Sequence, residues 1–391
     1  MRARRAIHHV LGPASPLLIA AAVTAVPSAP AEAMTARATP AAVLTGTGVL
    51  DDVVAVTATN AWAVGHDGDL ANPKTLIEHW NGTAWHRVSV RPAAGWLNGV
   101  AATSARDVWA VGLSGTRALI LHFNGTAWRR VAGPAVGKAF TLLAGVTAIS
   151  PRNAWAVGII GNKTLIEHWN GTRWRRVASP SPQSQSFLSG ISGASARDVW
   201  AVGGLSKTLI LHWNGTRWRR VPSPSPGTGA MLDDVTVISA SHAWATGSTG
   251  RGTLILHWNG TAWRRASIPA VRSGAGLLGI SGTSAGNVWA VGASGGLVAA
   301  AASRAGFAAP AAGTARPERA ASAGPASEPV ILHWNGTAWR RISIPVPAGG
   351  GMLIGVYAAS GRNAWAVGCT KTFANLKARP LVLHWNGTAW K

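Results

Sequence analysis

Two pairs of adjacent carboxylates are the residues of this chain with the clearest capacity for chemistry. They are Asp51-Asp52 and Asp233-Asp234, in a chain with 13 acidic residues against 36 Lys and Arg. Paired carboxylates can bind a cation, a sugar or a cationic partner, or perform acid and base steps in glycan cleavage. The alternative is charge that offsets the many Arg residues. The sequence favours that alternative, because no other catalytic partner is recognisable.

Trp96 and the segment Asp67-Gly68-Asp69 are the other candidate binding residues. A sugar ring can stack on an exposed Trp96, although an indole that anchors its own loop is the alternative. Asp67 and Asp69 match a fragment of a calcium-binding loop that lacks the remaining oxygen ligands. The sequence therefore predicts no cofactor, and these two Asp are its one weak metal-site candidate.

Seven His and six basic pairs recur at equivalent positions. Metal binding would need several His to converge on one ion, whereas equivalent positions on a ring point apart, so we interpret them as structural imidazoles. The basic pairs either pack their stems on indoles at a charged strand edge or form a cationic belt for an anionic polymer. The His are His79, His122, His168, His212, His257, His333 and His384, and the pairs begin at His86, Arg129, Arg175, Arg219, Arg264 and Arg340.

The element that must position these residues is a sequence module repeated seven times. Its first Trp recurs as Trp62, Trp109, Trp155, Trp200, Trp244, Trp289 and Trp365, so successive copies are 47, 46, 45, 44, 45 and 76 residues apart. Such a period is typical of a ring of repeated blades. Each copy has four segments with alternating apolar and polar residues, as in strands. The predicted fold is therefore all-β, a seven-bladed β-propeller of four-stranded antiparallel blades spanning residues 50–391.

Turn residues separate the predicted strands. An Asn-Gly pair follows the third strand of every unit, from Asn81-Gly82 to Asn386-Gly387, and it predicts a two-residue type I′ hairpin turn. A Ser or Thr near the end of the first strand predicts a capped tight turn to the second. The last outer strand is cut short at Trp390-Lys391, and residues 41–44 are a candidate to complete it.

The loops divide into two classes by face. In an up-and-down meander, the connections between strands two and three and between consecutive blades emerge on one face, and these connections vary among the units. Residues that bind ligands concentrate in such loops, so we expect the ligand on this variable-loop face. The Ala, Gly, Pro and Ser-rich insertion at 295–328 in unit six is predicted to be disordered.

The N-terminus predicts export. Residues 1–33 combine Arg2, Arg4 and Arg5 with an apolar run that is too short for a transmembrane anchor and an Ala-Glu-Ala cleavage site. Residues 34–49 are predicted to form a tether. The formal net charge of +23 favours anionic partners. An exported protein meets little nucleic acid, so nucleic acid is a disfavoured partner.

The WAVG, LILHW and NGTxW segments resemble those of kelch-type and Asp-box-type propellers and of secreted Trp-rich repeat proteins of Gram-positive bacteria. The likeness differs from kelch repeats in lacking a regular Gly pair, and its Asn-Gly turn is one residue shorter than an Asp-box turn. The resemblance implies the fold and not an activity. Enzymes on such folds use Tyr nucleophiles or Tyr and Cys redox sites, whereas this chain has one Tyr, Tyr357, and one Cys, Cys369.

These observations support two functional hypotheses. The first is a secreted, non-enzymatic and monomeric binding module or scaffold, extracellular or cell-wall associated, whose partner is an anionic envelope polymer, a glycan or a protein. The second is a glycan-acting hydrolase or lyase that uses Asp51, Asp52, Asp233 or Asp234 at the mouth of the central channel.

Overall fold

The described residues of this computed structural model form seven four-stranded antiparallel sheets, as the repeats predict. They are residues 42–68, 72–91, 94–182, 186–227, 229–249, 252–272, 274–294, 327–370 and 378–391. The predicted signal sequence, half of the predicted tether, Asp69 and most of the 295–328 insertion lie outside these ranges. Each sheet is one propeller blade.

The first strand of each blade lies innermost and contacts the first strands of both neighbouring blades. These strands are β2 (Val49–Thr57), β6 (Trp96–Ser104), β10 (Thr141–Ser150), β14 (Leu188–Ser195), β18 (Met231–Ser239), β22 (Gly276–Ser284) and β26 (Gly351–Ser360). The second strands are β3 (Asn60–Asp67), β7 (Asp107–Ser114), β11 (Asn153–Ile160), β15 (Asp198–Gly203), β19 (His242–Thr249), β23 (Asn287–Ser294) and β27 (Asn363–Thr370).

The third and outermost strands complete the blades. The third strands are β4 (Lys74–Trp80), β8 (Arg117–Phe123), β12 (Lys163–Trp169), β16 (Leu209–Trp213), β20 (Gly252–Trp258), β24 (Glu328–Trp334) and β28 (Pro380–Trp385). The outermost strands are β5 (Trp85–Arg87), β9 (Trp128–Arg130), β13 (Trp174–Arg176), β17 (Trp218–Arg220), β21 (Trp263–Arg265), β25 (Trp339–Ile342) and β1 (Ala42–Val43).

Both ends of the described chain contribute to the outer edge of blade seven. Ala42 and Val43 pair with Val382 and Leu381 of β28. On the same strand, the backbone amide nitrogens of His384 and Lys391 each donate to the other residue's carbonyl oxygen, at 2.9 and 3.0 Å. The prediction that residues 41–44 complete this blade is therefore confirmed for 42 and 43. Strand β1 and Val49, the first residue of β2, belong to the propeller although they lie within residues 34–49, which are predicted to form a tether.

Tryptophan holds adjacent blades together. The first Trp of each blade stacks on the His of its own third strand, with ring centroids 4.1 Å apart for Trp155 and His168. It also meets two aromatic rings of the next blade, which for Trp155 are Trp213 at 4.9 Å and Trp218 at 5.5 Å. The same contacts join blade seven to blade one through Trp365, Trp80 and Trp85. Each of these Trp residues thus joins two blades, and for Trp155 the contacts with the next blade are one tilted and one edge-to-face arrangement.

The recurrent His are structural, as predicted. In six blades the imidazole Nε2 is hydrogen-bonded to an Asn or Asp at the start of the second strand, for example at 3.0 Å from Asn153 Oδ1 for His168. His257 is the exception, since His242 occupies that position and lies 5.7 Å away between ring centroids. Burial lowers the pKa of His168 and His333, so these rings are neutral near pH 7.

The turn predicted from Asn-Gly is wrong in type. Trp80 pairs with Trp85, so four residues and not two connect the strands. The Asn81 side-chain oxygen accepts from the Thr83 amide at 2.9 Å, the Thr83 hydroxyl at 2.8 Å and the Ala84 amide at 3.0 Å. Gly82 has a positive φ, of 98°. This side-chain closure explains why Thr follows Asn-Gly in every unit.

Candidate functional site

The innermost strands surround a central cavity of about 290 Å³. Asp52 and Asp234 are the charged residues among its described lining, which also includes Ser192, Ser281 and Tyr357. On each innermost strand, the lining residues lie between the position equivalent to Asp52 and the tight turn that follows the strand. The cavity therefore lies within the channel, and the two Asp stand at its end nearer the variable-loop face.

Asp52 and Asp234 each hold two blades together. Asp52 accepts from the amide nitrogens of Val53 in its own blade and Val100 in the next, both at 2.9 Å. Asp234 repeats this arrangement in blades five and six, with the amides of Val235 at 2.9 Å and Ile280 at 3.0 Å. A carboxylate that accepts two backbone N–H groups has a defined structural role.

Asp51 and Asp233 do not reach the channel mouth. Their side chains are 0% and 1% exposed, because a β-bulge in each innermost strand turns this residue into the blade and the following residue toward the channel. The expectation that all four Asp ring the channel mouth therefore holds for one residue of each pair. The sequence already distinguishes the two residues of each pair, because the other five units have Gly at the position of Asp52 and Asp234.

Trp96 is a buried anchor and is not open to a sugar. It is 7% exposed and begins strand β6, where its indole nitrogen donates to Asp51 Oδ2 at 2.9 Å. The same carboxylate oxygen lies 3.2 Å from His66 Nδ1, and the His66 ring packs on Trp96 with centroids 4.0 Å apart. Of the two interpretations of Trp96, the structure supports the anchor.

We predict that Asp52→Asn and Asp234→Asn each destabilise the fold by about 1–3 kcal/mol. An amide can present its oxygen to one backbone N–H, but its NH₂ group then faces the second donor. Chemical denaturation followed by Trp fluorescence measures the change. An unchanged free energy of unfolding in both variants would contradict the structural role assigned to these carboxylates.

In the calcium-like fragment, the Asp67 carboxylate is hydrogen-bonded to protein groups. Asp67 Oδ1 accepts from the Thr47 hydroxyl at 2.6 Å and from the Gly68 amide at 2.8 Å, and Asp67 Oδ2 lies 3.0 Å from the Arg87 guanidinium. Burial opposes ionisation, but these hydrogen bonds and the Arg87 charge lower the pKa of Asp67. Asp69 lies outside the described residues, among which no cluster of three potential metal ligands occurs.

Tyr357 and Cys369 do not form a common site. Tyr357 pairs with Trp365 and Cys369 with Met352 on the same two strands, so the four residue steps from 365 to 369 separate them by about 13 Å. Burial, together with the nearby Asp51 charge, raises the pKa of the Cys369 thiol to about 12. The thiol is therefore protonated at neutral pH and is a poor nucleophile.

Glu167 is a buried carboxyl group with an unusual pKa. It is 1% exposed, and its Oε2 has no hydrogen-bond partner among the described residues. Burial raises the pKa of Glu167 from 4.5 to about 7, although the charge of Arg176 opposes this. Glu78 is the equivalent residue in blade one, where Arg87 Nε donates to its carboxylate at 3.2 Å. Glu78 is thus paired with Arg87 through a hydrogen bond, whereas Glu167 is attracted by Arg176 at longer range.

The Glu167 carboxyl group makes the stability of the fold depend on pH. Because the pKa of Glu167 is raised in the folded state, the protonated carboxyl contributes fully to the unfolding free energy below about pH 4.5. This contribution is lost as pH rises through about 7. We expect unfolding free energy to fall by about 2 kcal/mol between about pH 5 and about pH 8 from this source. Glu167→Leu should remove that dependence, since Leu121 and Leu211 occupy the same register in neighbouring blades. Urea unfolding at both pH values tests this, and an equal pH dependence in the variant would contradict it.

Charge is separated between the interior and the surface. None of the ten acidic residues in the described ranges is exposed, whereas every Lys and Arg in those ranges is. The acidic side chains connect neighbouring blades, pair with His122 and His212, or are buried. Among the described Arg residues, Arg87 and Arg272 form ion pairs with carboxylates. The exposed side-chain charge in these ranges is therefore positive.

Comparison with known proteins finds structural similarity to solved β-propellers. No protein-family model matches the chain, and no curated protein matches its sequence. The structure is similar to YCF48 bound to D1 peptide, with a TM-score of 0.55, 14% identity and coverage of 87% of this chain and 95% of that one. It is also similar to YCF48 from Cyanidioschyzon merolae, with a TM-score of 0.56, 16% identity and coverage of 88% and 97%.

A third similar structure is the WD40 β-propeller domain of Doa1, with a TM-score of 0.57, 12% identity and coverage of 88% of this chain and 96% of that one. At these identities the likeness shows the propeller fold alone. Within the described ranges, no helix has the length and apolar character needed to cross a membrane.

Proposed function

We propose that the protein is an exported, non-enzymatic binding module or scaffold of the cell envelope that engages an anionic partner. The observation that carries this proposal is the charge separation, in which the described acidic residues are buried or only partly exposed and the described Lys and Arg residues are exposed. A surface with one sign of exposed charge attracts polyanions and accelerates their association. Export itself rests on the N-terminal sequence pattern.

We place the ligand on the variable-loop face. On blade three, Lys163, Arg176, Thr164, Ser179 and Ser181 line a crevice of about 490 Å³ at this end of the strands. The Ser181 hydroxyl accepts from the Thr164 amide at 2.9 Å, which holds the loop over the strand. Two cations beside a pre-formed crevice suit an anionic group of a polymer or a protein.

The glycan-acting alternative has less support, because Asp52 and Asp234 are held by backbone amides while Asp51 and Asp233 are buried. Its test is incubation of the protein with a glycan library, comparing the unsubstituted chain with the Asp52→Asn and Asp234→Asn variants. Turnover that both substitutions abolish, in variants that still fold, would restore it.

Retention of the mature protein on isolated cell-wall polymers, neutral glycans and peptides tests the proposed function. Peptides belong in the panel because a similar propeller, YCF48, was solved with one. We expect retention on anionic polymer that about 0.5 M salt removes, since salt screens exposed charges. Retention on neutral glycan alone, or on no polymer at all, would contradict the proposal.

A further inference from the structure

The face opposite the variable loops carries an arginine sector on one side of the ring. In blades two, three and four, the turn between the first and second strands presents Arg106, Arg152 and Arg197. In blades three and four, the Asn-Gly turn on the same face adds Arg173 and Arg217. All five side chains are exposed. The corresponding first-turn residue of blade seven is Arg362, whereas those of blades one, five and six are Thr59, Ser241 and Gly286. Blades two, three and four are therefore the consecutive blades that each carry an Arg at this turn, and we define the sector by them.

Contacts between the two turns hold three of these side chains in place. A Cβ atom added to Gly125 would lie 2.7 Å from Arg106 Cγ, one added to Gly171 would lie 2.9 Å from Arg152 Cγ, and one added to Gly215 would lie 2.8 Å from Arg197 Cγ. The aliphatic stem of each Arg therefore rests on the glycine of the neighbouring Asn-Gly turn. A stem that is already packed loses less conformational freedom when its guanidinium binds a ligand.

Among the described residues, the carboxylates next in sequence form ion pairs or hydrogen bonds with His and not with the Arg residues of the sector. Asp107 and Asp198 follow Arg106 and Arg197 in sequence, but each lies within hydrogen-bond distance of a His of its own blade. Asp107 also accepts from the Thr103 hydroxyl and is only 8% exposed. In blade three the equivalent residue is the neutral Asn153.

From this arrangement we infer that the arginine sector is a docking surface for a linear polymer that bears repeated phosphate groups. The inference rests on the proposed function: it adds, on the opposite face from the variable-loop crevice, a second contact surface for the anionic partner, and it names the chemistry of that partner. A phosphodiester exposes two free oxygens that match the guanidinium fork, and Arg makes such bidentate contacts where Lys cannot. Single exposed ion pairs are weak, so affinity requires several contacts along one chain.

Two variants with equal loss of charge test the inference. The sector variant is Arg152→Gln, Arg173→Gln, Arg197→Gln and Arg217→Gln. The control variant is Arg264→Gln, Arg265→Gln, Arg340→Gln and Arg341→Gln, which are exposed on the outermost strands of blades five and six. Because all eight residues are exposed, both variants should unfold at nearly the temperature of the unsubstituted chain.

The probe is linear polyphosphate, titrated into the mature protein and followed by anisotropy or calorimetry. We expect the sector variant to bind about ten-fold or more weakly, and the control variant to lose less than about three-fold. Equal losses of polyphosphate affinity in the two variants would overturn the assignment of binding to the arginine sector while leaving the proposed function intact. Polyglutamate of matched charge that binds as tightly as polyphosphate would overturn the assignment to phosphate. No binding of polyphosphate or anionic wall polymer would overturn both.

Discussion

Gly158→Ala should destabilise the propeller by at least about 3 kcal/mol or prevent folding. A Cβ atom at Gly158 would lie 1.9 Å from the Leu142 carbonyl oxygen. The obstacle is the backbone of the innermost strand, which approaches closely beside the bulge between Leu143 and Gly145 and cannot rotate away as a side chain can. The last residue of each WAVG segment, and Gly247 in blade five, meets the same obstacle at 1.8–2.2 Å.

Chemical denaturation of Gly158→Ala measures this effect, and Gly361→Ala is its control. Gly361 lies in an exposed turn, where an added Cβ atom would meet nothing within 4 Å. We expect the control to change the unfolding free energy by less than about 0.5 kcal/mol. Similar stabilities of the two variants would show that the innermost strand does not approach Gly158 as described.

Trp155→Ala should lower the unfolding free energy by about 3–5 kcal/mol. The indole is 2% exposed and contacts His168 in its own blade and Trp213 and Trp218 in the next, so its removal opens a cavity between blades three and four. Trp213→Phe is the matched control, because Phe123 fills the equivalent position against Trp62 at 4.8 Å. Its loss should stay below about 1.5 kcal/mol. A small loss for Trp155→Ala would contradict the role of Trp between blades.

The sequence was sufficient to predict the blades because their signals are local and repeated. Alternating strands, seven copies of the first Trp and turn residues at fixed positions lead directly to seven four-stranded sheets. The His assignment also followed, since identical residues on a ring cannot converge on one metal ion. The type I′ turn was wrong because Asn-Gly was considered without the following Thr, whose amide and hydroxyl both bond to the Asn side chain.

The candidate site was less accessible to sequence reasoning. Adjacent residues such as Asp51 and Asp52 were expected to act together, but a bulge sends one into the blade and the other toward the channel. Bulges depend on backbone packing at the centre of the ring, which the pattern of a single unit does not contain. The arginine sector was not predicted, because ligand binding was expected in the variable loops of the opposite face. The contacts of Arg152 and Arg197 with glycines of other turns appear only in three dimensions.

The central claim is that the protein binds a polyanion through exposed cations. The most direct measurement is the dissociation constant for purified anionic wall polymer as a function of salt concentration. The proposal predicts that affinity falls steeply and linearly on logarithmic axes, with a slope that reflects several simultaneous contacts. An affinity that does not change between about 0.05 M and about 0.5 M salt would contradict it.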